Sequence, residues 1–198
     1  SLDGNIKDTS SIFPIILSLT KKNLINKVLV CEESAKKLSN IPNLEIYCVK
    51  NLDDAITFIK SNKKEDFLYK KNPLEYKVLK INDTEYYFDT NYLDDFQDVI
   101  GQDMAKNAAL ISSAGCHNII FEGSPGCGKS MITKRLKDIM PPMNLEEILE
   151  KAKLQSLDYK EVDFLPIRAF RSPHHSSTKS SIFGGGSSNA KMGEIALS

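Results

Sequence analysis

The sequence feature that most constrains the fold is a glycine-rich stretch between an apolar segment and a helix-forming segment. Residues 123–130 read Gly-Ser-Pro-Gly-Cys-Gly-Lys-Ser and fit the pattern G-x-x-x-x-G-K-[ST] at every defined position. The apolar residues 118–122 before it predict a buried β-strand, and the residues after it predict a helix that continues through Lys137. A strand, loop and helix in this order indicate an α/β fold and a loop that binds phosphate.

Each residue type in this stretch has a physical role in holding phosphate. Glycines let the chain turn back so that successive backbone N–H groups point at phosphate oxygens, and the helix beginning near Gly128 adds the positive end of its dipole. Lys129 is expected to reach the β- and γ-phosphates, and the Ser130 hydroxyl to bind Mg²⁺, so ATP and Mg²⁺ are the expected cofactors. The predicted nucleotide-binding residues are Gly123, Ser124, Pro125, Gly126, Cys127, Gly128, Lys129 and Ser130.

Hydrolysis of the nucleotide also needs an acidic residue at the end of a second apolar strand. Nothing downstream of Ser130 has that form, since the acidic residues Asp158, Glu161 and Asp163 follow no apolar strand. Glu32 and Glu33 do follow an apolar run, but they precede the loop in the chain, and we interpret them as a strand end and a helix start. We therefore assign no catalytic residue within this chain and expect nucleotide binding without efficient hydrolysis.

Composition and charge indicate an ordinary globular protein. Hydrophobic residues make up 41% of the chain, which is enough for a core, and 26 basic residues balance 26 acidic ones. The balance gives no support to nucleic-acid or membrane binding, and no apolar run approaches the roughly 18 residues that span a bilayer. The four cysteines lack metal-ligand spacing; they are Cys31, Cys48, Cys116 and Cys127. We expect a reduced, cytoplasmic protein that does not bind membranes.

The chain before the loop predicts two further regions. Residues 1–60 alternate helix and strand signals, with strands at 27–31 and 44–49, a helix at 32–38 and an N-cap at Asn51, which is typical of parallel strands joined by a crossover helix. Residues 61–92 predict a linker that contains a β-hairpin. The third predicted domain spans 93–198.

Four segments of the second half carry a family resemblance. They are Asp-Phe-Gln-Asp-Val-Ile-Gly-Gln at 95–102, the glycine-rich loop, Phe-Arg-Ser-Pro-His-His at 170–175, and Gly-Gly-Gly at 184–186 followed by Gly-Glu-Ile-Ala-Leu at 193–197. In this order they resemble the YifB/ComM family of bacterial AAA+ ATPases, often described as magnesium-chelatase-like. Residues 1–6, Ser-Leu-Asp-Gly-Asn-Ile, resemble the middle of the family's Lon-protease-like domain.

The resemblance implies a fold and a set of roles. It implies the first half of an AAA+ core, a P-loop NTPase αβα sandwich, preceded by the C-terminal part of a Lon-protease-like α/β domain, so that the chain is an internal fragment. It also implies that residues 99–102 pack beside adenine, and that the whole protein is a hexameric ring with an arginine finger from a neighbouring subunit. The position that resembles the protease lysine falls near Phe13, so we expect no proteolysis.

The resemblance further implies that the full-length protein hydrolyses ATP to act on DNA, in branch migration or recombination during natural transformation. A magnesium-chelatase motor subunit, which inserts Mg²⁺ into protoporphyrin, is the enzymatic alternative, and the Lon-like segment argues against it. A scaffold that binds nucleotide without hydrolysis is the non-enzymatic alternative.

Three features outside the loop leave alternatives open. His174 and His175 could bind metal or lie in a loop, and adjacent histidines usually point apart, which disfavours a shared metal. Arg168 and Arg171 could face DNA or a neighbouring subunit, or be structural. The segment 184–186 is typical either of a flexible linker or of an insertion loop near the pore of a ring.

Overall fold

A computed structural model describes residues 4–61, 63–71, 74–90, 94–185 and 191–197 of the chain. The backbone divides into two compact units. Unit 1 comprises Ser1–Glu75 with Leu149–Phe164, and unit 2 comprises Tyr76–Ile148 with Leu165–Ser198. The sequence-based domain boundaries near residues 60 and 92 stay predictions.

Unit 1 contains a parallel two-stranded sheet with helices between and around its strands. The elements are α1 (Ile12–Lys21), β1 (Lys27–Val30), α2 (Glu32–Leu38), β2 (Glu45–Cys48), α3 (Leu52–Lys60) and a short 3-10 helix (Lys64–Phe67). The strands pair in parallel from Lys27 opposite Glu45 to Val30 opposite Cys48, with α2 as the crossover. The parallel pair with a crossover helix, expected from the sequence, is confirmed.

Local side-chain chemistry explains where the helices of unit 1 begin. Pro14 lies in the first turn of α1, where a missing N–H leaves no hydrogen bond unmade. The Asn51 side chain accepts a bond from the Asp54 N–H at 2.8 Å, which confirms the predicted cap of α3. Phe13 is fully buried in the core of the unit and meets the Phe164 ring edge-on, with centroids 5.8 Å apart.

Unit 2 begins with a β-hairpin whose turn chemistry is visible in the sequence. Strands β3 (Lys77–Ile81) and β4 (Thr84–Phe88) are antiparallel, and β4 also pairs with the short β5 (Met143–Asn144). The two turn residues, Asn82 and Asp83, have φ values of 47° and 64°. Positive φ at both central positions defines the twisted two-residue turn that suits hairpins, and Asn and Asp tolerate it better than most residues.

The helices of unit 2 lie before and after the glycine-rich loop in the chain, and α5 begins directly at its end. They are α4 (Asp103–Gly115), α5 (Lys129–Ile139), α6 (Leu145–Leu157), which belongs to unit 1 from Leu149 onward, and α7 (Lys179–Phe183). Asn144 and Glu147 exchange backbone-to-side-chain hydrogen bonds of 2.9 Å, which confirms the predicted capping box of α6. None of the helices in the described residues is long and apolar enough to cross a membrane.

The predicted strand before the loop is wrong in the structure. Residues 117–124 form no strand, and Ile120 is 92% exposed, although Phe121 packs against the buried cluster of Val99, Ala109 and Ile132. The physical reason is pairing: a strand needs a neighbour for its backbone hydrogen bonds, and no described strand lies beside this segment.

Candidate phosphate-binding site

The glycine-rich loop connects the extended segment 117–122 to the first residue of α5. Gly126 and Gly128 have φ values of +82° and +89°, which side chains rarely adopt, and Gly128 is also the N-cap of α5. A Cβ added at Gly123 would lie 3.1 Å from the Cys127 sulfur, so the two ends of the loop approach closely. The positive φ values explain glycine at 126 and 128, and the close approach explains it at 123; the sequence pattern itself requires glycine only at 123 and 128.

Lys129 closes the loop. Its Nζ donates to the carbonyl oxygens of Gly123 at 2.7 Å and Ser124 at 2.8 Å, and lies 3.5 Å from the Cys127 sulfur. One ammonium group therefore faces three residues of the same loop. This places a positive charge where the loop folds back, next to the helix N-terminus.

The N-terminus of α5 suits an anion. Gly128 offers no side chain to cap the helix, and the described first turn carries no acidic residue, although acidic side chains normally favour this position. Lys129 and the exposed hydroxyl of Ser130 lie in this turn instead. Unsatisfied N–H groups, the helix dipole and a lysine together favour a phosphate group over any neutral ligand.

A cavity of about 330 Å³ lies against the loop and α5. It brings two parts of the sequence together, because the segment after residue 169 contributes Phe170 and Ser172, to which the sequence analysis gave no site role. The motif 170–175 was the only signal for them. The lining residues are Ile119, Phe121, Lys129, Ser130, Thr133, Lys134, Leu136, Phe170 and Ser172.

In the segment 95–102, a buried apolar residue is followed directly by an exposed one. Val99 is 3% exposed and packs with Ala109 and Ile132, whereas the next residue, Ile100, is 94% exposed. Gly101 and Gln102 follow with φ values of +68° and +57°, so the chain turns sharply before α4 begins. The packing of Val99 therefore holds the neighbouring Ile100 side chain at the surface, where it is exposed.

The two adjacent histidines outside the loop do not follow the usual arrangement, in which neighbouring side chains point apart. The rings of His174 and His175 do not point apart but contact each other, with centroids 4.1 Å apart and planes tilted by 37°. No group of three potential metal ligands occurs within the part of the chain that the structure describes.

Arg168 donates to the carbonyl of Pro141 at 3.1 Å and to Glu147 at 3.0 Å, and Arg171 pairs with Glu194 at 2.5 Å. Both arginines thus bind groups of this chain.

The glycines near the end of the chain allow two segments to cross closely. Gly185 exchanges backbone hydrogen bonds with Lys191, and a Cβ added at Gly193 would lie 2.3 Å from the Gly184 nitrogen. Gly186, the last residue of the predicted loop 184–186, lies outside the described residues. In the described residues, the backbone at Gly184 and Gly185 therefore lies directly against the backbone at Lys191 and Gly193.

Comparison with known sequences defines the class of protein. The sequence profile of the family described as magnesium chelatase, subunit ChlI, matches residues 95–198, just over half of the chain and all of the loop region. The chain belongs to this family, and its architecture is a mixed α/β structure in which residues 95–198 form the family's region.

Individual relatives narrow the assignment. The chain is 32% identical over its whole length to the competence protein ComM of Haemophilus influenzae, of which it covers 37%. It is 44% identical to the uncharacterized protein YifB of Salmonella typhimurium over 105 residues, which are 52% of this chain and 21% of YifB. An archaeal Lon protease of Archaeoglobus fulgidus is 34% identical over 68 residues, 34% of this chain and 11% of the protease. The chain is thus homologous to ComM and YifB and spans little more than a third of ComM.

Proposed function

We propose that this chain is the ATP-binding segment of a ComM/YifB-like AAA+ ATPase that works as a ring-shaped motor. The observation that carries the proposal is the loop 123–130, in which a lysine, two glycines with positive φ and an uncapped helix N-terminus converge. Such a site favours a polyphosphate, because the Lys129 ammonium, the helix N-terminus and the backbone N–H groups of the loop all favour a negatively charged ligand. The proposed fold is the first half of a P-loop sandwich, preceded by the C-terminal part of a Lon-like domain.

The residues present fit ATP and Mg²⁺. The backbone N–H groups of the loop would hold phosphate oxygens, and Lys129 would leave the carbonyls of Gly123 and Ser124 for the β- and γ-phosphates. Ser130, exposed in the first turn of α5, would hold Mg²⁺ through its hydroxyl. The ion would neutralise phosphate charge when bound. The segment 99–102, with exposed Ile100, would contact the adenine base.

Hydrolysis requires groups that the proposal assigns to other parts of the assembled protein. An acidic residue must position Mg²⁺ and water, and an arginine from a neighbouring subunit would stabilise the developing charge. We place both outside residues 1–198. Within the chain, the proposed roles are binding and orientation of the nucleotide, and the whole protein is proposed to be a hexamer in the cytoplasm.

The proposed macromolecular substrate is DNA, in branch migration or recombination during natural transformation. The support is the alignment of the whole of this chain with 37% of a protein named for competence. The second candidate, a magnesium-chelatase motor subunit, is supported by the description of the family itself. ATP-dependent binding of branched DNA by the full-length protein would favour the first, and ATP-dependent insertion of Mg²⁺ into protoporphyrin would favour the second.

Calorimetric titration tests nucleotide binding directly. Mg-ATP and Mg-ADP are titrated into the wild-type protein, Lys129→Ala and the control Lys80→Ala, which removes an exposed lysine from β3. We expect Lys129→Ala to weaken ATP binding by at least about tenfold, because charge-assisted hydrogen bonds to phosphate are lost, and the control to bind normally. Equal affinity in all three proteins would refute the proposed role of the loop.

A further inference from the structure

Arg135, in the second turn of α5, binds the short acidic turn at residues 94–98. Its Nε donates to the backbone carbonyl of Asp95 at 2.9 Å. One terminal nitrogen lies 3.1 Å from a carboxylate oxygen of Asp98 and 3.4 Å from one of Asp94. The side chain is only 13% exposed. A planar guanidinium carries its donors on separate nitrogens in a fixed arrangement, so Arg135 can bind the Asp95 carbonyl through one nitrogen and the two carboxylates through another.

The acidic turn is ordered by its own hydrogen bonds. The Asp95 carboxylate accepts from the Gln97 N–H at 2.9 Å, and the Asp98 carboxylate accepts from the Asp95 N–H at 3.1 Å. The bond from the Asp95 N–H, followed by the Arg135 guanidinium, lowers the pKa of the Asp98 carboxyl. Asp98 is therefore ionised at neutral pH and is a constant partner for Arg135.

An apolar contact joins the same two segments. Ile132 and Ile139 lie three residues before and four residues after Arg135, so all three side chains share one face of α5. The two isoleucines belong to the cluster that contains Val99, and Ile100 comes next in the chain. The position of Ile100 relative to the phosphate-binding loop therefore depends on the contact between α5 and residues 94–99.

We propose that Arg135 is a positioning residue that sets the adenine side of the site relative to its phosphate side. It follows Lys129 by six residues, which is about 9 Å along the helix axis, and it acts through the turn 94–98 rather than by touching nucleotide. The inference rests on the proposed function. Through the turn 94–98, Arg135 affects how tightly the nucleoside part of ATP is bound and leaves the binding of the phosphates unchanged.

A ligand comparison tests this separation. Mg-ATP and Mg-tripolyphosphate are titrated into the wild-type protein, Arg135→Met and Arg135→Lys; methionine keeps much of the apolar stem and removes the charge. We expect Arg135→Met to weaken ATP binding about tenfold and to change tripolyphosphate binding less than twofold. Arg135→Lys restores one contact and should give an intermediate loss. Lys80→Met, the control for loss of one positive charge, should bind both ligands as the wild type does.

A double-mutant cycle tests whether Arg135 acts through the acidic turn. Asp98→Asn removes one of its charged partners, and the double variant Asp98→Asn, Arg135→Met should bind ATP no more weakly than Arg135→Met alone. Fully additive losses would show that Arg135 acts by another route and would overturn the proposal.

Two further results would overturn it. Equal weakening of ATP and tripolyphosphate in Arg135→Met would mean that the residue supports the loop or the fold generally, and unchanged ATP binding would mean that it positions nothing. Thermal unfolding of each variant is measured beside the titrations, and if Arg135→Met unfolds at the assay temperature, the same comparison is made with Arg135→Lys. Failure of the proposed function is a different result: the wild type binds neither ligand, or Lys129→Ala affects neither.

Discussion

Unit 1 and unit 2 are of similar length but bury their apolar side chains to different extents. Of the seventeen buried apolar side chains in the described residues, twelve belong to unit 1 and five to unit 2. Large exposed apolar side chains are distributed the other way, with eight in unit 1 and fourteen in unit 2. Hydrophobic burial, the main favourable contribution to folding, therefore supports unit 1 much more than unit 2.

The difference shows how the candidate site is held in place. In the described part of unit 2, three buried residues form the cluster to which α5 contributes Ile132, and polar contacts such as those of Arg135 and of the Asn144–Glu147 capping box supplement them. Binding sites are often found in regions of lower local stability, where a ligand can shift the balance. We therefore expect unit 2 to respond strongly to nucleotide and unit 1 to respond mainly to changes in its core.

The largest expected effect is on the core of unit 1. Phe13→Ala should destabilise the protein by about 3–5 kcal/mol, because a fully buried ring is replaced by a cavity. Urea unfolding measures the loss, and amide hydrogen exchange should show it in unit 1. The control Phe183→Ala, at a ring that is 72% exposed, should change stability by less than about 0.5 kcal/mol. Equal loss of protection in both units would contradict the distinction between them.

A core substitution in unit 2 should affect stability and binding together. Ile132→Ala should cost about 2–4 kcal/mol and also weaken ATP binding, because Ile132 packs α5 against the segment of Val99. Unfolding and calorimetry on the same samples measure both. Met131→Ala is the matched control, since the neighbouring side chain on α5 is 45% exposed. If the two variants lose stability equally, the small cluster does not support the site.

Nucleotide should stabilise unit 2 selectively. At a free Mg-ATP concentration of 100 times its Kd, binding to the folded site adds about 2.7 kcal/mol against opening. Hydrogen exchange should slow in α4 and α5 and remain unchanged in α1 and α2. Lys129→Ala should abolish the effect. Protection that spread equally over α1 and α2 would show that the units open as one.

The smallest expected effect concerns acid. Burial acts to raise the pKa of Asp8, but hydrogen bonds from Lys37 and Ser34 outweigh it, so the pKa in the folded protein lies below its ordinary value. The stabilisation that ionised Asp8 gives the folded protein is complete above the pKa of this group in the unfolded chain, near 4. It is lost as the pH falls through the lower pKa that Asp8 has in the folded protein.

Asp8→Asn should therefore lower stability at pH 7 by about 1 kcal/mol or less and flatten the dependence of unfolding on pH below about 4. Unfolding midpoints measured across that range check it, with Lys37→Met as the partner variant. A pH dependence that is unchanged in Asp8→Asn would assign the acid sensitivity to other carboxylates.

Features that depend on a few consecutive residues were predictable. The Asn51 cap, the Asn144–Glu147 capping box and the Asn82–Asp83 turn each involve partners within three residues, so local chemistry is enough to find them. The contacts within the glycine-rich loop belong to the same class, since Lys129 and the loop carbonyls interact within residues 123–130, whereas phosphate binding by the loop stays a prediction. The prediction of a strand at 118–122 was wrong, because a strand forms only where a neighbouring strand pairs with it, and its own residues do not determine that.

Sequence pattern and tertiary structure thus contributed at different ranges. Residue order was sufficient for the caps, the hairpin turn and the chemistry of the loop, because covalent connection already brings those groups together. Folding alone decided that Arg135 meets residues about forty positions earlier and that Phe170 reaches the cavity beside Lys129. Contacts between distant segments depend on how whole helices and strands pack, and no short stretch of sequence contains that information.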